Sequence, residues 1–378
     1  MEHFGNRIIT AALCYCMVSA LTITNAQAQE WIYTVRSGDN PWSISRDYLQ
    51  GMDYWPRLQS YNGITRPMQI PPGTQLRIPI EWLKDPIRPV TARVLDVRGE
   101  VEVSSGETGQ TARLEVRNTL QAGDTIRTGP QSSVRLKFHD DSELLLQADS
   151  TLGLETLNVY ANSGLVDAQL HLQRGRLETQ TTTREDPAIR YEIRTPSAVA
   201  AVRGTEFRVG ADDATQVALA EVTDGEVSLS SAGQITVLPE KFGAVAKTGG
   251  GKPLKVELLP PPEIDDFPAT LEKLEFSWPV LERAQKYRVQ LMAYQRKRFK
   301  LLVVNRGRLI HSEQVGGGEQ VLALIYEEIV GTPQFQGPTL PNDNYILRIR
   351  GIDEQGLEGL NGEHQFTLFA SASLASTK

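Results

Sequence analysis

Apolar and polar residues alternate along most of residues 91–256, and this alternation is the dominant pattern of the chain. Apolar residues stand at every second position in the runs Val134-Leu136-Phe138, Leu144-Leu146, Phe207-Val209 and Val227-Leu229. A period of two places successive side chains on opposite faces of a β-strand. Glycine, aspartate and serine separate the short runs, as they do in turns. The segment is therefore predicted to be all-β, as a sandwich, barrel or solenoid.

Residues 31–82 follow a different pattern, which predicts a strand, two helices and a second strand. Asn40 suits the N-cap of the first helix, and Pro41 suits its first turn, where the missing N–H needs no partner. Asn62 and Gly63 suit the end of the second helix. The predicted strands are residues 33–35 and 75–79, and the second helix is residues 54–61.

Proline and glycine runs set the boundaries between the parts of the chain. They occur at residues 84–89, 249–251 and 260–262, and proline and glycine favour extended linkers and turns. A third part, residues 263–370, alternates again. The prediction is a mainly β, multidomain protein with a small βααβ domain at residues 31–82, an all-β domain at 91–256 and a β-sandwich at 263–370.

The first 28 residues have the pattern of a signal peptide. Arg7 supplies a positive charge, residues 8–24 are mostly apolar, and residues 25–28 end in the small-x-small pattern that signal peptidases cleave. Large residues precede Cys14 and Cys16, which disfavours lipidation. An uncleaved membrane anchor is the alternative. Because no second apolar stretch of this kind follows, the mature chain is predicted to lack a membrane span. A signal peptide followed by a chain without cysteine predicts a location in the periplasm or cell envelope.

Composition and charge exclude several functions. Of 378 residues, 39 are Lys or Arg and 46 are Asp or Glu, so the net charge of -7 disfavours nucleic-acid binding. Both cysteines lie in the predicted signal peptide, so the mature chain has no thiol nucleophile. The mature histidines are scattered, and residues 139–141 are predicted as a turn. No metal site, cofactor or catalytic residue is predicted, and the protein is not expected to be an enzyme.

Ordered landmarks along residues 33–79 carry a family resemblance. They are Tyr33-x-Val35-x-x-Gly38-Asp39, Trp42-x-Ile44, Leu58, Asn62, Ile70, Pro72-Gly73 and Leu76-x-Ile78-Pro79. In this order they resemble a LysM domain along its whole length. The resemblance implies binding of polymers that contain N-acetylglucosamine, which in a bacterial envelope means peptidoglycan. The chain departs from the family at Asn40 and Pro41, where Thr and Leu are usual.

The resemblance also implies where the sugar lies, in a shallow groove between two loops. Carried over residue by residue, the loops are residues 38–42 and 62–67. The expected glycan-binding residues are Gly38, Asp39, Asn40, Pro41, Trp42, Asn62, Gly63, Ile64 and Thr65. Fixed backbone groups would read the acetamido group, and apolar side chains would cover the sugar face. The alternative is that Asp39, Asn40 and Asn62 only cap and turn the chain, and that Trp42 and Trp55 are core residues.

The all-β part resembles a second family. Its landmarks are Gly123-Asp124-x-Ile126-x-Thr128-Gly129, Ser142, Leu172-x-x-Gly175-x-Leu177 and Thr195-Pro196 through Arg203-Gly204-Thr205-x-Phe207. These resemble a FecR domain, a family best known from periplasmic regulators that pass a receptor's signal to a sigma factor. Because a signal peptide and a LysM-like part stand in place of the cytoplasmic and transmembrane regions, the domain is expected to act as an envelope interaction module. Arg203 and Glu206 suggest a ligand site, with an internal hydrogen-bonding role as the alternative.

The third part shows a looser resemblance. Its landmarks are Leu274-x-Phe276-x-Trp278, Tyr287-x-Val289-x-Leu291 and Tyr345-x-Leu347-x-Ile349. Their order is similar to a fibronectin type III sandwich. Together the parts predict a non-catalytic peptidoglycan-binding protein that uses its FecR and C-terminal domains to contact an envelope protein. The alternatives are a FecR-type sensor acting through a membrane partner and an accessory of a cell-wall hydrolase.

Overall fold

The computed structural model describes residues 30–35, 38–71, 73–84, 87–160, 165–181, 190–202, 205–265, 274–295, 298–305, 308–315 and 321–368. The chain divides into two compact units, residues 1–84 and 85–378. The signal peptide predicted at residues 1–28 lies outside the described residues. Within the ranges described, no helix has both the length and the apolar character needed to cross a membrane.

The first unit has the predicted order of elements. They are β1 (Glu30–Thr34), α1 (Pro41–Tyr48), α2 (Trp55–Tyr61) and β2 (Gln75–Pro79), with 3-10 turns at Met52–Tyr54 and Ile80–Trp82. Trp31, Tyr33 and Val35 are buried at alternate positions, because the inner face of β1 covers the helices. β1 and β2 pair antiparallel, with Tyr33 opposite Leu76. The predicted βααβ order is confirmed.

Among the described residues of the second unit, the first eighteen strands are here called the double sheet. The strands are β3 (Ile87–Pro89), β4 (Ala92–Arg98), β5 (Val101–Ser104), β6 (Thr111–Arg113), β7 (Thr119–Leu120), β8 (Thr125–Thr128), β9 (Ser133–Lys137), β10 (Glu143–Leu146), β11 (Thr151–Tyr160), β12 (Leu165–Gln180), β13 (Arg190–Arg194), β14 (Val199–Val202), β15 (Glu206–Asp212), β16 (Val217–Asp224), β17 (Glu226–Ser231), β18 (Gln234–Pro239), β19 (Phe242–Lys247) and β20 (Leu254–Glu257). Mainly β structure is thereby confirmed.

Strand β12 belongs to two sheets. One sheet runs in the order β6-β5-β8-β11-β12-β13-β14-β17-β18, and the other in the order β7-β4-β9-β10-β12-β15-β16-β19-β20. The apolar inner faces of both sheets form one core, with Ile126, Leu154 and Leu229 from the first and Val134, Leu146 and Ala220 from the second. The arrangement is a sandwich whose layers share a strand.

Gly175 marks the point where β12 passes from one sheet to the other. Residues up to Arg174 pair with β11, and residues from Gly175 onward pair with β15. Gly175 has φ +93°, and a Cβ atom there would lie 2.5 Å from the Cα of Ser150. Only glycine accommodates both this backbone conformation and this approach without strain.

Strand β10 is buried on both faces. Leu144 and Leu146 face the core of the double sheet, while Leu145 packs against Met292 and Ile346 of the C-terminal region. The turn predicted at residues 139–141, just before this strand, is confirmed by a hydrogen bond of 2.9 Å from the Phe138 N–H to the Ser142 carbonyl.

The C-terminal strands form a second pair of packed layers, here called the C-terminal sandwich. The strands are β21 (Glu275–Ser277), β22 (Lys286–Gln295), β23 (Arg298–Asn305), β24 (Arg308–Val315), β25 (Val321–Val330), β26 (Gln334–Gln336), β27 (Asn344–Ile352) and β28 (Gly362–Thr367). A sheet in the order β25-β22-β27-β28 shares its core with the pair β21-β26, and β23 and β24 form a hairpin. Phe276 and Trp278 belong to that core.

Candidate functional site

Helix α1 begins at a cap built from the predicted loop residues. The Asn40 side chain accepts hydrogen bonds from the N–H groups of Trp42 (3.1 Å) and Ser43 (3.0 Å), and the Ser43 hydroxyl accepts one from the Asn40 N–H. This reciprocal arrangement is a capping box, which satisfies donors that a helix N-terminus otherwise leaves unpaired. Pro41 occupies the first helical position and is buried. The capping role predicted for Asn40 is confirmed.

The residues before the cap are tied back to β1. The Tyr33 hydroxyl donates to the Asp39 carboxylate at 2.5 Å. Gly38 is exposed and has φ +89°, a conformation in which glycine carries no steric cost. Asp39 therefore fixes the loop, and Gly38 leaves its backbone open to solvent.

Asn62 joins the end of α2 to β2. Its amide donates to the carbonyls of Leu58 (3.1 Å) and Arg77 (2.9 Å), and its side-chain oxygen accepts from the Arg77 N–H at 2.7 Å. These contacts match all but one of the hydrogen bonds that an Asn side chain offers in this setting. Asn62 is thus a structural clamp, as in the alternative considered for it.

The three predicted residues after Asn62 form an open turn. Gly63 and Thr65 are exposed, while Ile64 is half-buried and its N–H donates to the Gln59 carbonyl at 3.0 Å. Since Asp39, Asn40 and Asn62 use their side chains internally, a ligand at this site would meet mainly backbone and the exposed edges of Gly38, Gly63 and Thr65.

Trp42 and Trp55 form an aromatic pair between the two helices. Their ring centroids lie 4.8 Å apart at 33°, and both residues are half-buried. The pair therefore contributes to packing and also presents part of its apolar surface to solvent, as ligand-binding aromatic residues do. The two tryptophans are therefore neither purely core residues nor purely a surface on which a sugar ring could stack.

A second aromatic group was not anticipated from the sequence. Trp82 contacts Tyr54 (centroids 5.8 Å) and Tyr61 (5.4 Å). Arg77 binds both oxygens of the Glu30 carboxylate at 2.8 Å, and the Tyr61 hydroxyl donates to the same carboxylate. Hydrogen bonds from Arg77 and then Tyr61 lower the pKa of Glu30. Trp82 lies in the 3-10 turn after β2. It is outside the helices and strands whose periodic patterns could have indicated which residues it contacts.

The second unit contains a large group of paired charges, here called the charged cluster. Its members come from the double sheet and the C-terminal sandwich and are Arg176, Glu178, Arg208, Glu221, Arg288, Glu327, Arg348, Arg350, Glu358 and Glu363. Arg208 is 2% exposed, Arg350 1%, and Glu221 and Glu358 are fully buried. Side chains of this kind are rarely buried unless they are paired.

Hydrogen bonds within the charged cluster cross between the two parts of the unit. Arg208 donates to the carbonyls of Glu358 and Gly359, both at 2.8 Å. Arg350 donates to Glu178 at 2.6 Å and to Glu358 at 3.1 Å. The double sheet and the C-terminal sandwich are therefore fastened by buried, charge-assisted hydrogen bonds.

Burial and neighbouring charges shift the pKa values of some members of the charged cluster. Burial raises the pKa of Glu178, but Arg350 and Arg348 outweigh it and hold that pKa well below its usual range. Burial likewise raises the pKa of Glu358, and the nearby guanidinium groups, first that of Arg176, reverse the shift. Burial and then the charge of Arg350 lower the pKa of Arg208 to about 10. Glu178, Glu358 and Arg208 therefore remain charged at neutral pH.

Glu206 stands beside the charged cluster. It is half-buried on β15, and burial, followed by the negative charge of Glu178, raises its pKa. Arg203, its proposed companion, lies outside the described residues. No group of three or more His, Cys, Asp or Glu side chains in the described ranges is placed to hold a metal ion.

Comparison with known families identifies two segments. Residues 33–79 match the model of the LysM domain, and residues 124–228 match that of the FecR protein. The first segment covers the βααβ unit with its capped loops, and the second lies within the double sheet. These are binding or regulatory modules in their families. The resemblances expected from the sequence are confirmed for both segments.

Solved structures give only loose likenesses. Two structures of a "putative anti-sigma factor from Parabacteroides distasonis ATCC 8503" are 16% identical with a TM-score of 0.30; the match covers 35% of this chain and 59% of that one. The extracellular domain of the "putative hybrid two component system BT4673 from B. thetaiotaomicron" is 8% identical, with coverage of 73% and 50% and a TM-score of 0.14. No curated protein matches the chain. Likenesses at these scores carry no argument about function.

Proposed function

We propose that this chain is a non-catalytic envelope protein that binds peptidoglycan through its first unit. The observation that carries the proposal is the LysM match over residues 33–79, on a βααβ unit whose loops are held rigid by the Asn40 cap and the Asn62 clamp. Rigid loops reduce the conformational entropy lost when a ligand binds. In the proposal the signal peptide at residues 1–28 directs the chain to the periplasm.

The proposed sugar contacts come from two kinds of surface. Exposed backbone at Gly38, Gly63 and Thr65 would bind the acetamido group, and the partly exposed Trp42 would cover the apolar face of the ring. Asp39, Asn40, Pro41, Asn62 and Ile64 would hold these groups in place. The nine residues predicted from the sequence therefore stay in the proposed site, but with divided roles.

The proposal assigns the second unit to protein binding. In it, a FecR domain at residues 91–256 and a fibronectin type III-like domain at residues 263–370 contact another envelope protein. The two packed layers of the C-terminal sandwich support the second assignment, as does the Tyr345 hydroxyl, which donates to the Pro341 carbonyl at 2.7 Å. A tyrosine hydroxyl bonded back to the nearby backbone at a strand start is a feature of such sandwiches.

Titration with a soluble N-acetylglucosamine oligomer tests the glycan site. Thr65→Arg places a bulky charge on the exposed turn and should weaken binding about tenfold, or about 1.4 kcal/mol. Ser60→Arg puts the same side chain on an exposed position of α2 and should leave the affinity unchanged. If Tyr61→Ala abolishes binding while Thr65→Arg preserves it, the sugar sits on the aromatic group around Trp82 and the proposed loops are wrong.

A signal-sensing role is the second candidate, favoured by the FecR match over residues 124–228. In that case the double sheet would bind a particular membrane protein and pass on its state. Cross-linking the exported chain in cells and recovering one membrane protein that depends on residues 91–256 would support this role. Recovery of wall fragments alone would contradict it.

A further inference from the structure

The two layers of the double sheet end at a shared groove. β18 is the last strand of one layer and β20 is the last strand of the other. Between them lies a groove of about 610 Å³, lined by residues 235–237 and 252–255. Among the strands that the structure describes, β18 pairs only with β17, so its other edge presents unpaired backbone groups.

The groove has the position that a further strand would occupy. β18 packs over β16 and β19 of the opposite layer, and β20 continues that layer one strand beyond β19. The Thr236 hydroxyl donates to the Pro253 carbonyl at 3.3 Å, which fixes β18 next to the start of β20. One layer therefore extends past the other and leaves room beside β18.

Apolar side chains are exposed around this groove. Ile235 is 53% exposed, Val237 46% and Leu254 60%. Ile235 and Val237 stand at alternate positions of β18, so both point to the same face of its layer. Neighbouring exposed apolar residues on an open strand edge are avoided in monomeric proteins unless the surface binds something.

The charged side chains that line the groove are both lysines. Lys255 pairs across strands with Ala244, which faces the core, and directly opposed residues share a face. Lys255 therefore points inward from β20, with its ammonium 4.3 Å above the ring of Phe242. Lys252 lines the same groove. A strand added beside β18 would turn alternate side chains toward the side of Lys255 and the others toward the side of Ile235 and Val237.

We propose that this groove binds an extended segment of a partner protein, in which acidic residues alternate with apolar residues, as a strand added to β18. Main-chain hydrogen bonds along the edge would supply affinity, and the alternating pattern would supply specificity. The proposal rests on the proposed function, since it locates the protein-binding surface assigned there to the second unit.

A labelled peptide of alternating valine and glutamate, as long as β18, tests the proposal by fluorescence anisotropy with the whole exported chain. Ile235→Glu with Val237→Glu should weaken binding at least about tenfold, because apolar contacts are lost and like charges oppose each other. The matched control is Val280→Glu with Ile329→Glu, which changes two apolar side chains exposed elsewhere and should bind as the parent chain does.

A charge reversal provides an independent readout should the first variant fold poorly. Lys252→Glu with Lys255→Glu should lose the valine-glutamate peptide and gain a valine-lysine peptide, which the parent chain binds at least about tenfold more weakly. Equal affinity of the parent chain for both peptides, or no saturable binding, would overturn the proposal. A dimer of the parent chain that Ile235→Glu with Val237→Glu dissolves would also overturn it, assigning the groove to a second copy.

Sedimentation of the same variants with peptidoglycan separates this inference from the proposed function. Sacculus binding should survive every change at the groove, because the glycan site lies in the first unit. If the parent chain binds the peptide but not sacculi, the result supports peptide binding at the groove and contradicts only the proposed glycan site. If the groove variants lose sacculus binding, the groove binds glycan and the inference is wrong.

Discussion

The two units of this chain use polar residues in opposite ways. In the described part of the first unit the core is aromatic and aliphatic, and an ion pair such as that of Arg46 with Asp47 lies at the surface, with side chains 67% and 43% exposed. In the second unit Arg208, Arg350 and Glu358 lie fully inside the protein. An exposed pair contributes little to stability, whereas a buried charge that loses its partner is costly.

The contrast shows where each unit is sensitive to mutation. In the first unit, polar side chains cap helices and fix loops, so removing one eliminates only a local set of hydrogen bonds. In the second unit, polar side chains join the double sheet to the C-terminal sandwich, and the residues they connect lie more than a hundred positions apart in the sequence. Removing one of these side chains therefore disturbs a shared network of hydrogen bonds. We therefore expect separate unfolding transitions for the two units, and one common transition for the double sheet and the C-terminal sandwich.

The largest effect is expected for Glu358→Ala. The change removes the buried carboxylate that Arg288, Arg350 and Arg176 share, which leaves these guanidinium groups with fewer counter-charges, and should destabilise the second unit by about 3–5 kcal/mol. Calorimetry should show the loss in the transition of the second unit only. Arg46→Gln, which removes an exposed pair, is the matched control; if both variants lower stability equally, the contrast between the units is wrong.

Gly175→Ala should come next. The new methyl group would meet Ser150 at a backbone conformation that alanine rarely adopts, so the second unit should lose about 2–4 kcal/mol. Gly63→Ala adds a methyl group to an exposed turn with open space around it, which isolates the cost of the backbone conformation from that of the contact. Equal losses for the two changes would show that β12 does not depend on close packing at this point.

Acid should weaken the second unit more than the first. The pKa values of Glu178 and Glu358 lie below their ordinary value of 4.5, so these groups stabilise the folded state above pH 4.5. Below pH 4.5 the unfolded chain takes up protons that the folded cluster does not, and stability falls. The raised pKa of Glu206 acts in the opposite direction and offsets part of this loss.

Unfolding followed between pH 7 and pH 3 measures this difference. Tryptophan fluorescence reports on both units, and circular dichroism of the β structure reports mainly on the second. The midpoint of the second unit should fall faster with acidity than that of the first. A second unit whose midpoint stays constant down to pH 3 would contradict the ionised state assigned to Glu178 and Glu358.

The smallest effect is expected for Asn40→Ala. Loss of the cap on α1 should destabilise the first unit by about 1 kcal/mol and leave the transition of the second unchanged. Asn40→Asp restores an acceptor at the same position and should recover most of the loss. An Asn40→Ala chain as stable as the parent would mean that Pro41 and the aromatic core define the helix start without the cap.

Local rules predicted the first unit closely because its elements begin and end at local features. Asn40 and Pro41 set the start of α1, and β2 coincides with the predicted residues 75–79. Alternation also identified strands of the double sheet such as β9, where Val134 and Leu136 are buried. The two confirmed family resemblances rest on the same kind of short-range pattern.

Contacts between distant segments could not be predicted in this way. The burial of Leu145 depends on Met292 and Ile346, which belong to another part of the chain. The hydrogen bond from Arg208 to the Glu358 carbonyl likewise depends on a fold in which both residues are already placed. In the candidate glycan site, the resemblance located the loops, but only the structure shows that Asn62 uses its side chain to hold Arg77.

Co-sedimentation with purified peptidoglycan sacculi tests the central claim, that glycan binding resides in the first unit, most directly. Three proteins are compared: the parent chain, the same chain lacking residues 31–82, and Glu358→Ala. The first and third should pellet with sacculi, and the deletion should remain in solution while keeping the unfolding transition of the second unit. A deletion that pellets as the intact chain does would contradict the account.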